Sequence, residues 1–235
     1  MSALDLDSIV LDHGTHATPD DGMCVMEAAA LYASEDFTDA PECVSPVIRA
    51  FCIAWNDAIP DAETRTRLLR PFIPQVIGTN IGPEDDERRT WMAYDWLVRT
   101  FTPAWLRRAG LTAEAAALEA LPELTATELV DAALPTIREA RERADAALDA
   151  AGVAALDAAL DAALVAALDA ALVAAWAAAG DAAWDAALDA ALDAAWAAAW
   201  AAAGAAAGDA LADTVDELQQ SACELLDRMC AVGRK

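Results

Sequence analysis

An all-α fold is predicted, and three observations predict it. Residues 145 to 210 repeat one tetrapeptide, read first as Asp145-Ala-Ala-Leu148 and later as Asp157-Ala-Ala-Leu160 and Asp189-Ala-Ala-Leu192. Ala is the strongest helix former and Leu is close behind. Apolar residues nearer the N-terminus recur at helical spacing, as in Ile48, Phe51, Cys52 and Trp55. Helix-start and helix-stop residues then punctuate the chain between such faces. The expected architecture is a compact N-terminal helical domain over 1–125, an Ala-rich repeat helix over 126–210, and a short C-terminal amphipathic helix over 211–235.

Taken in order, Ser8 to Leu11 is a short apolar run, a strand or an extended lead-in. His13 to Gly22 is loop by composition. Met23 to Tyr32 reads as a helix with Asp20 or Asp21 as its cap and Cys24 in its first turn. Ser45-Pro46 is an N-cap followed by proline at the first helical position. The helix it opens runs to Asn56-Asp57 and Pro60. Asp61 caps a short helix containing Leu68 and Leu69. After the turn at 78–83, Glu84, Asp85, Asp86 and Glu87 favour the positive end of a helix dipole. The core face of that helix is Trp91, Tyr94, Leu97, Val98 and Phe101. Thr102-Pro103 opens a further helical stretch through Trp105 and Leu106, ended by Arg107, Arg108 and Gly110. Thr112 and Thr125 are the expected caps of the two helices before the repeat. Past the repeat, Leu218, Ala222, Leu225 and Met229 mark the buried face of a final helix, with Cys223 and Cys230 beside it.

The repeat has a geometry of its own. A period of four overshoots one helical turn by about 40°, so the Leu/Trp stripe winds around the helix. That excludes a heptad coiled coil, whose seam stays on one side. Unbroken, the stretch would be roughly 100 Å long. It is either a long helix gripped along a spiral or a weakly packed spacer. Gly180-Asp181 and Gly208-Asp209 read as helix end followed by cap, so a break would fall there. The repeat keeps its phase through Gly180, which favours glycine as a variant residue at the Leu/Trp position.

Charge narrows the function. With 40 acidic against 15 basic residues, the net charge is −25, a surface that repels nucleic acid and anionic lipid. Aspartates interrupt the charge-free runs of the repeat, which argues against a membrane span. The acidic opening Met1-Ser-Ala-Leu-Asp has no basic or long apolar segment, so no secretion signal is expected. Five cysteines, an odd number, then suit free thiols in a reducing cytoplasm.

One cluster invites a chemical reading. Both histidines lie in the loop that feeds Cys24. Cys24, His16 and Glu27 are the candidate catalytic residues, since a cysteine at a helix start can be acidified and served by a nearby base. His13, His16, Cys24 and Cys43 are the candidate metal ligands, a donor set that suits zinc. The spacing matches no common zinc motif, and no histidine follows His16 as the papain-like order requires. The competing reading makes the cysteines small buried hydrophobes and the histidines polar loop residues. No cofactor is therefore expected. The leading expectation is a non-enzymatic helical protein that self-associates or binds a protein partner. The alternative is a small metal- or thiol-dependent enzyme built on His13, His16 and Cys24.

The segment Gly14-Thr15-His16 with Asp21-Gly22-Met23-Cys24-Val25-Met26-Glu27-Ala28 resembles the opening of a group of small Ala-rich proteins from actinobacteria and their phages. The likeness continues through Cys43 to Ile48, Trp55-Asn56-Asp57 and Asp95 to Pro103. It covers about the first half of the chain and the tail after the repeat. It carries over no catalytic residue. It implies a cytoplasmic protein with the repeat as the variable part.

Overall fold

The helices that caps and periodicity mark outside the repeat are present in the computed structural model, which describes residues 5–151 and 208–234. Among the described residues there is no strand. The helices are α1 (Val25–Tyr32), α2 (Pro46–Ala58), α3 (Ala62–Leu69), α4 (Ile73–Val76), α5 (Pro83–Trp96), α6 (Thr102–Arg108), α7 (Thr112–Glu119), α8 (Thr127–Ala151) and α9 (Gly208–Ala231). The Ala-rich repeat beyond Ala151, with Gly180, lies outside the described residues. None of the described helices is long and apolar enough to cross a membrane.

The described residues fall into two compact units, one of 5–90 with 226–234 and one of 91–151 with 208–225. The division comes at Thr90/Trp91 and at Leu225/Leu226, so part of the C-terminal helix belongs to each unit.

In the first unit, α1 is the central element. Val25, Met26 and Ala28–Ala30 are all fully buried, and the run of alanines lets α1 lie against α2 and α4. Ser45 caps α2, its Oγ accepting from Ile48 N, and Pro46 follows at the first position. Along α2, Ile48, Phe51, Cys52 and Trp55 are buried as the spacing predicts. Phe51 and Trp55 meet edge to face with centroids 5.8 Å apart, the arrangement that ring quadrupoles favour. Asp61 caps α3 through Thr64 N. Ser8–Leu11 is not a strand: a 3-10 turn over Leu6–Ser8 leads into extended chain.

Two buried arginines tie helix ends that would otherwise leave carbonyls unpaired. Arg65 donates to Asn56 O, Leu11 O and Ile59 O. Arg89, fully buried, donates to Met229 O and Val232 O at the end of α9 and pairs with Asp86. Asp86 in turn accepts from Ser45 Oγ, so the start of α2, the start of α5 and the end of α9 share one network.

In the second unit, Trp91, Tyr94, Leu97, Val98 and Phe101 form the buried face. The expected continuous helix is interrupted at Leu97–Phe101, which forms a π turn. Pro103 has no N–H to continue the α ladder, and Thr102 N bonds instead to Leu97 O, five residues back. The buried residues of α8 are Val130, Ala133, Ile137, Ala140 and Ala144, and the helix packs on α7. On α9, Thr214, Leu218, Ala222 and Leu225 are buried, and Ser221 Oγ accepts from Trp96 Nε1 at 3.0 Å. The expected caps before the repeat are not used. Thr112 is the first residue of α7 after Leu111, with no side-chain cap, and α8 begins at Thr127, beyond Thr125.

Candidate functional site

The loop before α1 is pinned from both ends. Leu11 N bonds to Thr66 Oγ1, and Asp12 N bonds to Met23 O at 2.8 Å, so the intervening chain closes on itself. Asn56 and Asp57, in the last turn of α2, complete the frame. Asn56 Oδ1 accepts from Val25 N, while its Nδ2 donates to Asp12 O and Asp57 Oδ1. Asp57 Oδ1 also accepts from Gly14 N. Gly22 makes the final turn into α1 at φ 125°, a conformation that side chains rarely adopt. A Cβ there would stand 2.8 Å from His16 Nε2.

Glu27 sits at the centre, with its carboxylate fully buried. Oε1 accepts from His16 N at 2.7 Å. Oε2 lies 2.8 Å from His16 Nδ1 and accepts from Cys24 N at 2.7 Å. Cys24 Sγ accepts in return from Glu27 N. Cys24 and Glu27 thus form a capping box with a cysteine in the place where serine or threonine is usual. Burial alone would raise the Glu27 pKa, but the bonds from His16 and Cys24 prevail and hold it below the ordinary value.

Two expectations are corrected by this geometry. The cap of α1 is Cys24, not Asp20 or Asp21. Pro19–Asp21 forms a separate 3-10 turn, closed by Thr18 Oγ1 to Asp21 Oδ2, and Gly22 then redirects the chain. The Cys24 thiol is not acidified by its place at the helix start. Burial, with the Glu27 carboxylate beside it, pushes its pKa up to about 12.

Of the candidate residues, His16, Cys24 and Glu27 come together and the others do not join them. His13 is exposed and its ring pairs with Asp12. Cys43 is held by Glu35, and burial and that carboxylate raise its pKa to about 11. Cys52 is wholly buried, with Cys24 and Cys230 as its electrostatic neighbours. Among the described residues no group of three or more His, Cys, Asp or Glu is arranged to hold a metal ion. What the arrangement does chemically is orient one imidazole. A carboxylate at Nδ1 leaves Nε2 as the basic nitrogen, facing Gly22 and the Asp12 carboxylate at 3.9 Å.

Asn56, Asp57 and Arg65 belong to this site and are missing from the sequence candidates. Asn56 and Asp57 read only as helix-ending residues, and their partners lie some forty residues earlier in the chain.

Comparison with known proteins returns no match: no family model fits the chain, and no curated protein or solved structure is significantly similar to it.

Proposed function

We propose that the protein is a non-enzymatic helical interaction protein, with its Ala-rich repeat as spacer or self-association surface. The observation that carries this reading is the bonding of Glu27. Its carboxylate accepts from His16 N, His16 Nδ1 and Cys24 N, so the trio with the most chemical promise is committed to holding the loop before α1. A thiol-dependent enzyme needs a thiolate near neutral pH, and burial keeps Cys24 protonated. A metal site on His16 and Cys24 would have to draw them away from Glu27. The net charge of −25 favours a protein partner or a second copy over nucleic acid or an anionic membrane. On its opening motif we also place the chain beside the small Ala-rich actinobacterial and actinophage proteins, in the cytoplasm.

The experiment is molar mass by light scattering over a wide concentration range, on the full chain and on a chain lacking residues 157–168. Concentration-dependent assembly that weakens with the deletion agrees with the proposal. A monomer at all concentrations, with no partner captured through the repeat, contradicts it.

A further inference from the structure

A cavity of about 550 Å³ in the second unit gathers three arginines of this very acidic chain, beside two glutamates. Its walls include Arg99, Thr100, Ala104, Arg107, Arg108 and Thr214. The volume lies within the range of small-molecule pockets. The π turn at Leu97–Phe101 changes the angle between the arginines around the helix axis. In an uninterrupted α-helix Arg108 would stand about 180° around from Arg99, and one inserted residue reduces that to roughly 80°. Such turns are frequent at functional sites.

The guanidinium groups have capacity to spare. Arg99 NH1 pairs with Asp95, but Arg99 Nε is buried and has no hydrogen-bond partner among the described residues, and buried polar groups are rarely left so. Arg108 is half-buried, and among the described residues its bond runs from Nε to the neutral Thr214 Oγ1. Its charge has no carboxylate partner there. Arg107 is neutralised by Glu119. We infer that this cavity binds a small phosphate-type oxyanion, free phosphate or the phosphate of a small monoester, held chiefly by Arg108, with Arg99 beside it sharing its charge with Asp95. Guanidinium forks match that geometry better than any other side chain. Glu119 and Glu217, also on the walls and both exposed, repel the flanks of a polyanion, whereas a compact oxyanion reaches past them. The inference is independent of any role for the repeat.

The test is calorimetric titration of the full-length protein with inorganic phosphate and, separately, phenyl phosphate, against sodium chloride of equal ionic strength. Saturable binding is expected, tighter for whichever source the cavity serves. Arg108→Gln should weaken it at least about tenfold. Ala104→Glu puts a carboxylate into the cavity without removing any observed bond, and it should abolish binding in a protein whose circular dichroism is unchanged. Arg67→Gln, at an exposed position of α3, should leave affinity as it is. No saturable heat with either anion overturns the inference, as does unchanged affinity in the Ala104→Glu protein. A synthetic peptide of residues 181–195 that binds more tightly than both anions also overturns it, by making the cavity a seat for an acidic peptide.

Discussion

Glu27 Oε2 lies 2.8 Å from Nδ1 of His16, and the same oxygen accepts from Cys24 N. A loop residue is thereby bound to the first turn of α1, which is buried from Val25 to Ala30. Glu27→Gln keeps the shape but removes the charge and puts an NH2 group where an acceptor oxygen stood. The expected loss is about 2–4 kcal/mol, the range for breaking a buried, charge-assisted network. Urea unfolding of the two proteins checks it, and a loss within error of zero contradicts this role for Glu27.

The same carboxylate makes a pH prediction. Its folded pKa is held below the ordinary glutamate value by the bonds that outweigh burial. A depressed carboxylate pKa gives stability that is present above the unfolded value, about 4.3. That stability is lost as pH falls through the folded value. Wild-type stability should therefore decline on acidification below about pH 4, and the Glu27→Gln protein should show a shallower decline. Parallel pH profiles of the two proteins would show that Glu27 does not contribute to acid lability.

Gly22 should tolerate no side chain. At φ 125° an alanine is strained, and its Cβ would overlap the ring of His16. Gly22→Ala is expected to cost about 1–3 kcal/mol, with the His16 ring displaced. A nuclear magnetic resonance spectrum showing the His16 ring unmoved, with stability unchanged, would refute the close approach.

Cys24 should be an inert thiol. With its pKa pushed up to about 12 by burial, it should react with a disulfide reagent at neutral pH only as fast as the protein opens. Cys24→Ser should retain the cap, and Cys24→Ala should lose about 1 kcal/mol. One thiol reacting faster than those of the unfolded chain, mapped to Cys24, would revive the enzyme reading.

The elements with local signals were legible in the sequence. Ser45-Pro46, Asp61 and the faces of α2 and α5 follow from spacing and capping alone, because both depend on neighbours within a turn or two. The grouping of Cys24 with Glu27 is likewise local, three residues apart. The cap of α1 was misread because Asp20 and Asp21 are better capping residues than cysteine. What moved the cap was the separate turn begun by Pro19. The π turn escaped because Pro103 advertises a break but not the form that the break takes. Asn56, Arg65 and Arg89 escaped for a different reason. They bond backbone carbonyls and amides far along the chain, and no side-chain pattern encodes those partners. The buried stripe of α8, Val130-Ala133-Ile137-Ala140-Ala144, alternates steps of three and four. The strict period of four begins directly after it, so the two patterns are distinguishable in the letters.

The central claim is that the repeat acts apart from the fold, as spacer or assembly surface. Scanning calorimetry of the chain lacking residues 157–168, beside the full chain, tests it most directly. The account predicts one cooperative transition within a few degrees of the full chain's, as a spacer or outer surface requires. Loss of the cooperative transition would contradict it and make the repeat part of the core.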